Sequence, residues 1–287
     1  MRAYGRTGVK VTVITLGGCG LGFPNVSQDE ADKMITLAMN YGLNMIDVAP
    51  SYGDAEVKLN DMLRKYRSRF FLAEKTLKRT KEEASLEMKA SLERLGVKNF
   101  DLYQFHAVKN LEELEKIMSK DGAIEAFKEA KETGLVKYIG LTGHRDVRVH
   151  LKALELFDFD ALLLPVCASS LSNPTPENDF RPVLKAAVDR GVGVTAIKAV
   201  SRRRWASGAS RSYDTWYEPS DVYEEVQMLV NFTLSQDGVS TYSMACDVKL
   251  WPLILEAGKN YKHLEIKEQE EIMKSAQSAS YSPLYPQ

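Results

Sequence analysis

Eight short β-rich runs alternate with amphipathic helical segments along the 287 residues, and most of the runs are apolar from end to end. Continuous apolar strands are buried on both faces, as in parallel sheets. Eight such units, about thirty residues apart, have the size of one closed (β/α)8 TIM barrel, an α/β fold. The length by itself would admit two domains, but barrels of this size are single, so residues 1–287 read as one domain. A doubly wound open sheet lacks its diagnostic turn here. Gly17-Gly18-Cys19-Gly20-Leu21-Gly22 has the glycines without the G-x-G-x-x-G spacing and carries little weight as a phosphate cradle.

Each element has its own signal. Residues 2–4 and 9–11 flank Gly5-Arg6-Thr7-Gly8 and read as an N-terminal β-hairpin; Val11 to Leu16 then forms the first barrel strand. Ser27-Gln28-Asp29-Glu30 is a capping box, followed by Ala31, Met34, Ile35 and Ala38 on one helical face. The second strand is Asn44 to Ile46, broken after Asp47 by Pro50 and Gly53, and a helix runs from about Ala55 to Leu63. Phe70 to Ala73 leads into Glu74-Lys75, and Thr80-Lys81-Glu82-Glu83 caps a helix lined by Met88, Leu92 and Leu95. Leu102 to Phe105 ends at His106, and one long amphipathic region, about Leu111 to Thr133, closes at Gly134. Tyr138 to Leu141, Ala161 to Leu164, Val192 to Ile197 and Val239 to Met244 supply the remaining strands, with helices between them. An extra C-terminal helix near Ile266–Ala276 and an aromatic tail, Tyr281 to Pro286, finish the chain.

Composition narrows the function classes. The chain is 44% hydrophobic and 27% charged with a net charge of −1, so neither nucleic acid nor an anionic membrane is indicated as a partner. Cys19, Cys167 and Cys246 are scattered, show no metal-ligand pairing and suit a reducing compartment. With no apolar signal core near Met1 and no membrane-length run, the expectation is a soluble cytoplasmic protein without a metal.

Chemistry in a barrel sits where strands end at the C-terminal face. Asp47 and Tyr52 follow the second strand, Lys75 the third and His106 the fourth. Each alone is compatible with an ordinary structural role: a helix-capping acid, a surface lysine, a satisfied core histidine. Together they place a carboxylate, a phenol, an ammonium and an imidazole at matching positions on one rim. An ammonium beside a tyrosine favours the phenolate and is expected to lower the phenol's pKa from its usual value near 10. Asp47 would keep Lys75 charged, and His106 could hydrogen-bond a substrate oxygen. The set suits proton donation to an oxygen gaining negative charge, as when hydride adds to a carbonyl.

Ile46-Asp47-x-Ala49-x-x-Tyr52-Gly53, then Glu74-Lys75, then Asp101-Leu102-Tyr103-x-x-His106 resembles the aldo-keto reductase superfamily over nearly the whole chain. The glycine-rich and divergent loops are similar to those of its prokaryotic members. The resemblance implies an oxidoreductase reducing an aldehyde or ketone. Tyr52 would be the general acid, Lys75 and Asp47 would tune it, and His106 would orient the carbonyl. It also implies NADP, or NAD, bound in extended form across the barrel mouth.

The nucleotide half departs from that pattern. The family's Gly-x-Ser-Asn becomes Gly140-Leu141-Thr142-Gly143-His144, so Thr142 and Gly143 stand where nicotinamide contacts are expected. Leu163 and Val166 fall where a glutamine and a stacking tyrosine are usual, implying aliphatic contact instead. Lys198, Arg202 in the run Arg202-Arg203-Arg204, and Lys249 are the remaining candidate cofactor contacts. The arginines could clamp phosphate or form a solvated loop, and Asp247 would repel a 2′-phosphate unless Lys249 compensates. An NAD-preferring enzyme, a redox-neutral lyase or isomerase, and a non-catalytic ligand-sensing barrel are the alternatives. Phe23-Pro24, Tyr213, Trp216, Tyr217 and the tail are candidate pocket walls. The sequence names neither the carbonyl substrate nor the oligomeric state.

Overall fold

A computed structural model describes residues 1–286; of the expected domain, Gln287 lies outside the described residues. β1 (Arg2–Ala3) and β2 (Lys10–Val11) pair antiparallel, Arg2 against Val11. The barrel is built from β3 (Ile14–Gly17), β4 (Met45–Asp47), β5 (Phe71–Thr76), β6 (Phe100–Phe105), β7 (Val136–Thr142), β8 (Ala161–Pro165) and β9 (Gly193–Ile197). After a small hairpin of β10 (Ser201–Arg204) and β11 (Tyr217–Pro219), β12 (Val239–Ser243) closes the barrel between β9 and β3. All eight barrel pairings are parallel, as the apolar runs require.

The helices are α1 (Gln28–Asn40), α2 (Ala55–Tyr66), α3 (Lys81–Leu95), α4 (Leu111–Met118), α5 (Ala123–Glu132) and α6 (Arg148–Leu156). They continue with α7 (Ala168–Leu171), α8 (Arg181–Arg190), α9 (Tyr223–Leu234), α10 (Trp251–Lys259) and α11 (Ile266–Ser278). In α1 the Ser27 hydroxyl accepts from the Glu30 N–H at 3.2 Å, and Ala31, Ile35 and Ala38 are buried against the barrel. Truncating Ile35 to Ala would cost about 2–5 kcal/mol by leaving a cavity.

One end of the barrel is sealed. The β1–β2 hairpin drives fully buried Tyr4 into the N-terminal opening, where its ring meets Phe71 edge-on at 5.3 Å and its hydroxyl bonds Thr195 Oγ1 at 2.9 Å. The C-terminal mouth, where Asp47, Lys75 and His106 stand, is the end left for chemistry.

The structure departs from the sequence expectation in four places. The long region 111–133 is two helices, because Asp121-Gly122 breaks it; a Cβ on Gly122 would stand 2.2 Å from the Ile117 carbonyl oxygen. The Thr80 hydroxyl donates to Glu83 Oε2 at 2.7 Å instead of capping backbone. The run Val11–Leu16 divides between the hairpin strand β2 and the barrel strand β3, and Gly18–Gly22 after it is a 3-10 helix packed on α2. The arginine run is strand β10, not a loop, and the following loop 205–216 straps across the mouth. Asp214 anchors that strap by accepting from Asn25 Nδ2 at 2.9 Å and by donating its N–H to Asp247 Oδ2 at 2.8 Å.

Candidate active site

Asp47 closes β4, and the turn Pro50–Gly53 brings Tyr52 back over the mouth. Two glycines make that turn possible. Gly53 holds φ +55°, and Gly22 lies so close that a Cβ there would be 1.6 Å from the Tyr52 carbonyl oxygen. Lys75, near the end of β5, is fully buried and pairs with Asp47 Oδ1 at 2.8 Å, while its Nζ also donates to the Val48 carbonyl at 3.0 Å. Longer contacts from Gln104 Nε2 and Ser243 Oγ, both 3.4 Å, complete the surroundings of the Asp47 carboxylate.

The Lys75 ammonium lies 4.7 Å from the centroid of the Tyr52 ring. His106 follows β6 and meets Tyr52 edge-on, with ring centroids 5.5 Å apart. Its Nδ1 is 3.2 Å from Ser51 Oγ. All four sequence candidates therefore converge on one small region, and Asp47, Tyr52 and His106 line the same cavity at the barrel mouth.

The electrostatics correct one expectation. Tyr52 was expected to have a lowered pKa; instead burial, followed by the charge of Asp47, holds its phenol well above the ordinary value. Desolvation is the largest effect on the phenol, and the Asp47 charge adds to it. His106 is pushed well below the usual histidine value by burial and then by Lys75 and Arg79, so it is neutral at pH 7.

The expected cofactor contacts are dispersed. The Thr142 hydroxyl accepts from the Ala107 N–H at 2.7 Å and the residue is fully buried. The Gly143 N–H donates to the Leu163 carbonyl, and any Cβ there would strike the His150 ring at 2.5 Å. Arg202 makes ion pairs with Glu218 and Glu225, Arg203 with Glu218, and Arg204 donates to the Leu284 carbonyl. The run ties the hairpin and tail together, and carboxylates occupy two of its three guanidinium groups. Asp247 is turned inward, accepting from the Lys249 and Asp214 N–H groups, so it does not confront a ligand; Lys249 is exposed beside it. Leu163 lines the cavity, whereas Val166 is fully buried with its carbonyl taken by Thr233.

Lys198 faces the cavity, with a partner that sequence reasoning missed. Its Nζ sits 2.7 Å from His144 Nδ1 and 5.1 Å from the Trp216 ring centroid. Cys19 and Cys246 also line the cavity. The Cys19 thiol and the ammonium groups of Lys198 and Lys75 pull the Cys246 thiol below its ordinary pKa. Of the predicted walls, Trp216 and Tyr217 line the cavity; Tyr285 of the tail packs on Trp216 with centroids 5.4 Å apart. The cavity holds about 520 Å³ of empty space, counting its open entrance. Among the described residues no helix is long and apolar enough to cross a membrane.

Comparisons with known proteins agree with the barrel fold. The sequence profile of the Aldo/keto reductase family matches residues 13–272. Pyridoxal 4-dehydrogenase of Microbacterium luteolum is 26% identical over 79% of each chain. L-galactose dehydrogenase of Arabidopsis thaliana is 30% identical over 50% of this chain and 48% of its own. The solved structure of aldo-keto reductase AKR11C1 from Bacillus halodurans, in its holo form, superposes with a TM-score of 0.75. It is 22% identical and covers 98% of this chain and 97% of that one. A closed parallel barrel carrying an Asp–Tyr–Lys–His set at its mouth, together with a profile match over most of the chain, places this protein in the Aldo/keto reductase family of oxidoreductases.

Proposed function

We propose that this cavity interconverts a carbonyl compound and its alcohol, reducing an aldehyde or ketone with Tyr52 as general acid. The observation that carries the reading is the position of Tyr52. Its ring lies beside a buried ammonium already neutralised by Asp47, with a neutral imidazole 5.5 Å away. A phenol held above its ordinary pKa keeps its proton at pH 7 and has one to give. As the proton leaves, negative charge grows on the phenolic oxygen, and the fixed Lys75 ammonium stabilises that charge without reorganising. Asp47 keeps Lys75 oriented through a 2.8 Å ion pair, so it acts through the lysine. When the Ser51 hydroxyl is the donor to His106 Nδ1, the imidazole proton resides on Nε2, which is then a donor for the carbonyl oxygen.

The residues present fit a nicotinamide ring. Leu163 and Ile197 line the cavity with aliphatic side chains, and Trp216 and Tyr217 add flat aromatic ones; such surfaces suit a planar ring. These four would hold the ring, whose contribution when bound is the hydride. Thr142 and Gly143 do not line the cavity; they precede His144, which does. Lys249 is an exposed cation two residues past Asp247; with that acid turned inward, NADP(H) is preferred over NAD(H) in this reading. Arg202 would contribute only if released from Glu218 and Glu225.

Titration of the purified chain with NADPH and NADH, followed by tryptophan fluorescence, tests the cofactor. Trp216 should report quenching at lower NADPH than NADH concentration. Equal or reversed affinities would remove the NADP preference, and binding of neither would remove the nicotinamide reading.

A further inference from the structure

Two ammonium groups stand at this end of the barrel, and the fold treats them differently. Lys75 has Asp47 at 2.8 Å. Lys198 is 5% exposed, and among the described residues it makes no ion pair. Its side-chain partners are a histidine nitrogen at 2.7 Å and the face of Trp216 at 5.1 Å. The titratable groups that face it are His144, from the segment after β7, and the thiols of Cys19, Cys167 and Cys246, from the segments after β3, β8 and β12. None is a carboxylate. His144 is itself held neutral by burial and by the lysine, so it adds no counter-charge.

Taking an ammonium out of water without a counter-ion is costly. The backbone adds to that cost: Lys198 has φ +67°, a left-handed conformation that non-glycine residues adopt only when their surroundings impose it. Both costs fall at the wall of the candidate active site, and a negative charge arriving there would offset the first. Tyr52, His106, His144 and Lys198 line that wall as successive neighbours. The His106 and His144 ring centroids are 6.4 Å apart, beyond the 5.5 Å step from Tyr52 to His106.

We propose that Lys198, supported by His144, is an oxyanion-holding subsite, and that the carbonyl substrate carries a carboxylate or phosphate a few bonds from its carbonyl group. The substrate assignment rests on the carbonyl-reduction reading above; the anion site does not. Lys198, His106 and Tyr52 line one cavity, so a short chain with its carboxylate at Lys198 has its carbonyl end in the same space as His106 and Tyr52. Burial brings the Lys198 ammonium down to about 7, so an arriving anion draws a proton onto it at mildly alkaline pH.

Binding without turnover is the first test. Calorimetry of the full chain with succinate and with succinamide, at about pH 8 in buffers of different ionisation enthalpy, reads affinity and proton uptake together. Succinate should bind about tenfold or more tighter than the uncharged diamide, with proton uptake. Lys198→Met should weaken succinate by about tenfold or more and abolish the uptake, while Lys198→Arg retains binding. Equal affinity of the wild-type chain for the two ligands overturns the site even if the variants fail to fold.

Turnover is the second test. With saturating dinucleotide, the ratio of kcat/KM for succinic semialdehyde over pentanal should be about ten or more and should fall about tenfold in Lys198→Met. An unchanged ratio with a raised dinucleotide Kd in that variant assigns the oxyanion to the cofactor's phosphate and overturns the substrate proposal. Selective succinate binding with neither aldehyde turned over sustains the anion site and removes carbonyl reduction instead.

Discussion

Gly22 and Tyr52 are in backbone contact so close that no side chain can stand between them; a Cβ on Gly22 would lie 1.6 Å from the Tyr52 carbonyl oxygen. The contact is reciprocal, since a Cβ on Gly53 would lie 2.2 Å from the Gly22 carbonyl oxygen. The 3-10 helix after β3 therefore sets where the phenol stands. Gly22→Ala should push the Tyr52 turn outward and lower kcat by about 100-fold, the size of effect expected from an ångström-scale misplacement. Steady-state kinetics beside a thermal melt checks this; full activity would show that Tyr52 is positioned by other contacts.

Tyr52→Phe removes the proton donor and leaves the ring packing against Lys75 and His106 largely intact. Carbonyl reduction should drop by about 10²–10⁴-fold while dinucleotide affinity changes little. Retained reduction in this variant would exclude Tyr52 as the general acid.

Lys75→Met leaves the Asp47 carboxylate buried without its cation. Breaking such a pair from one side costs about 3–5 kcal/mol. Lys75→Met combined with Asp47→Asn should recover part of that loss, though not activity. Denaturant unfolding of both single variants and the double measures the coupling.

The buried histidines fix a pH dependence of stability. His150 is fully enclosed, and burial lowers it to about 4. Between pH 6.5 and 4 the unfolded chain then binds the proton and the folded chain does not, so stability falls as pH drops through that window and levels off below it. The contribution of His150 is about 3 kcal/mol over the whole window, and His106 and His144 act in the same direction. Lys198, lowered to about 7, acts in a separate window: its contribution falls as pH drops from its ordinary alkaline value toward 7. Melting temperature against pH, compared with His150→Gln, should show a shallower acid limb in the variant.

What was legible in the sequence is what local order encodes. Asp47 ends β4, Lys75 is one residue from the end of β5 and His106 follows β6; parallel closure carries strand ends to one rim, so their convergence follows once eight strands are counted. The Lys198–His144 contact joins residues 54 positions apart across two strand ends, and no spacing announces it. The arginine run looked free because its partners, Glu218 and Glu225, arrive from β11 and α9. Tyr52 was expected to have a lowered pKa because charge is visible in a sequence while desolvation is not; in the folded chain desolvation is the larger effect.

The strap 205–216 has a consequence for rates. Asp214 holds it to Asn25 on one side and to the Asp247 segment on the other, at 2.9 and 2.8 Å, while Trp205 Nε1 donates to the Thr215 carbonyl within it. A ligand that runs out of the mouth past Trp216 meets a segment tied near its C-terminal end. If those ties must break for a ligand to enter, the observed association rate is expected to level off at high ligand concentration, which stopped-flow binding measures.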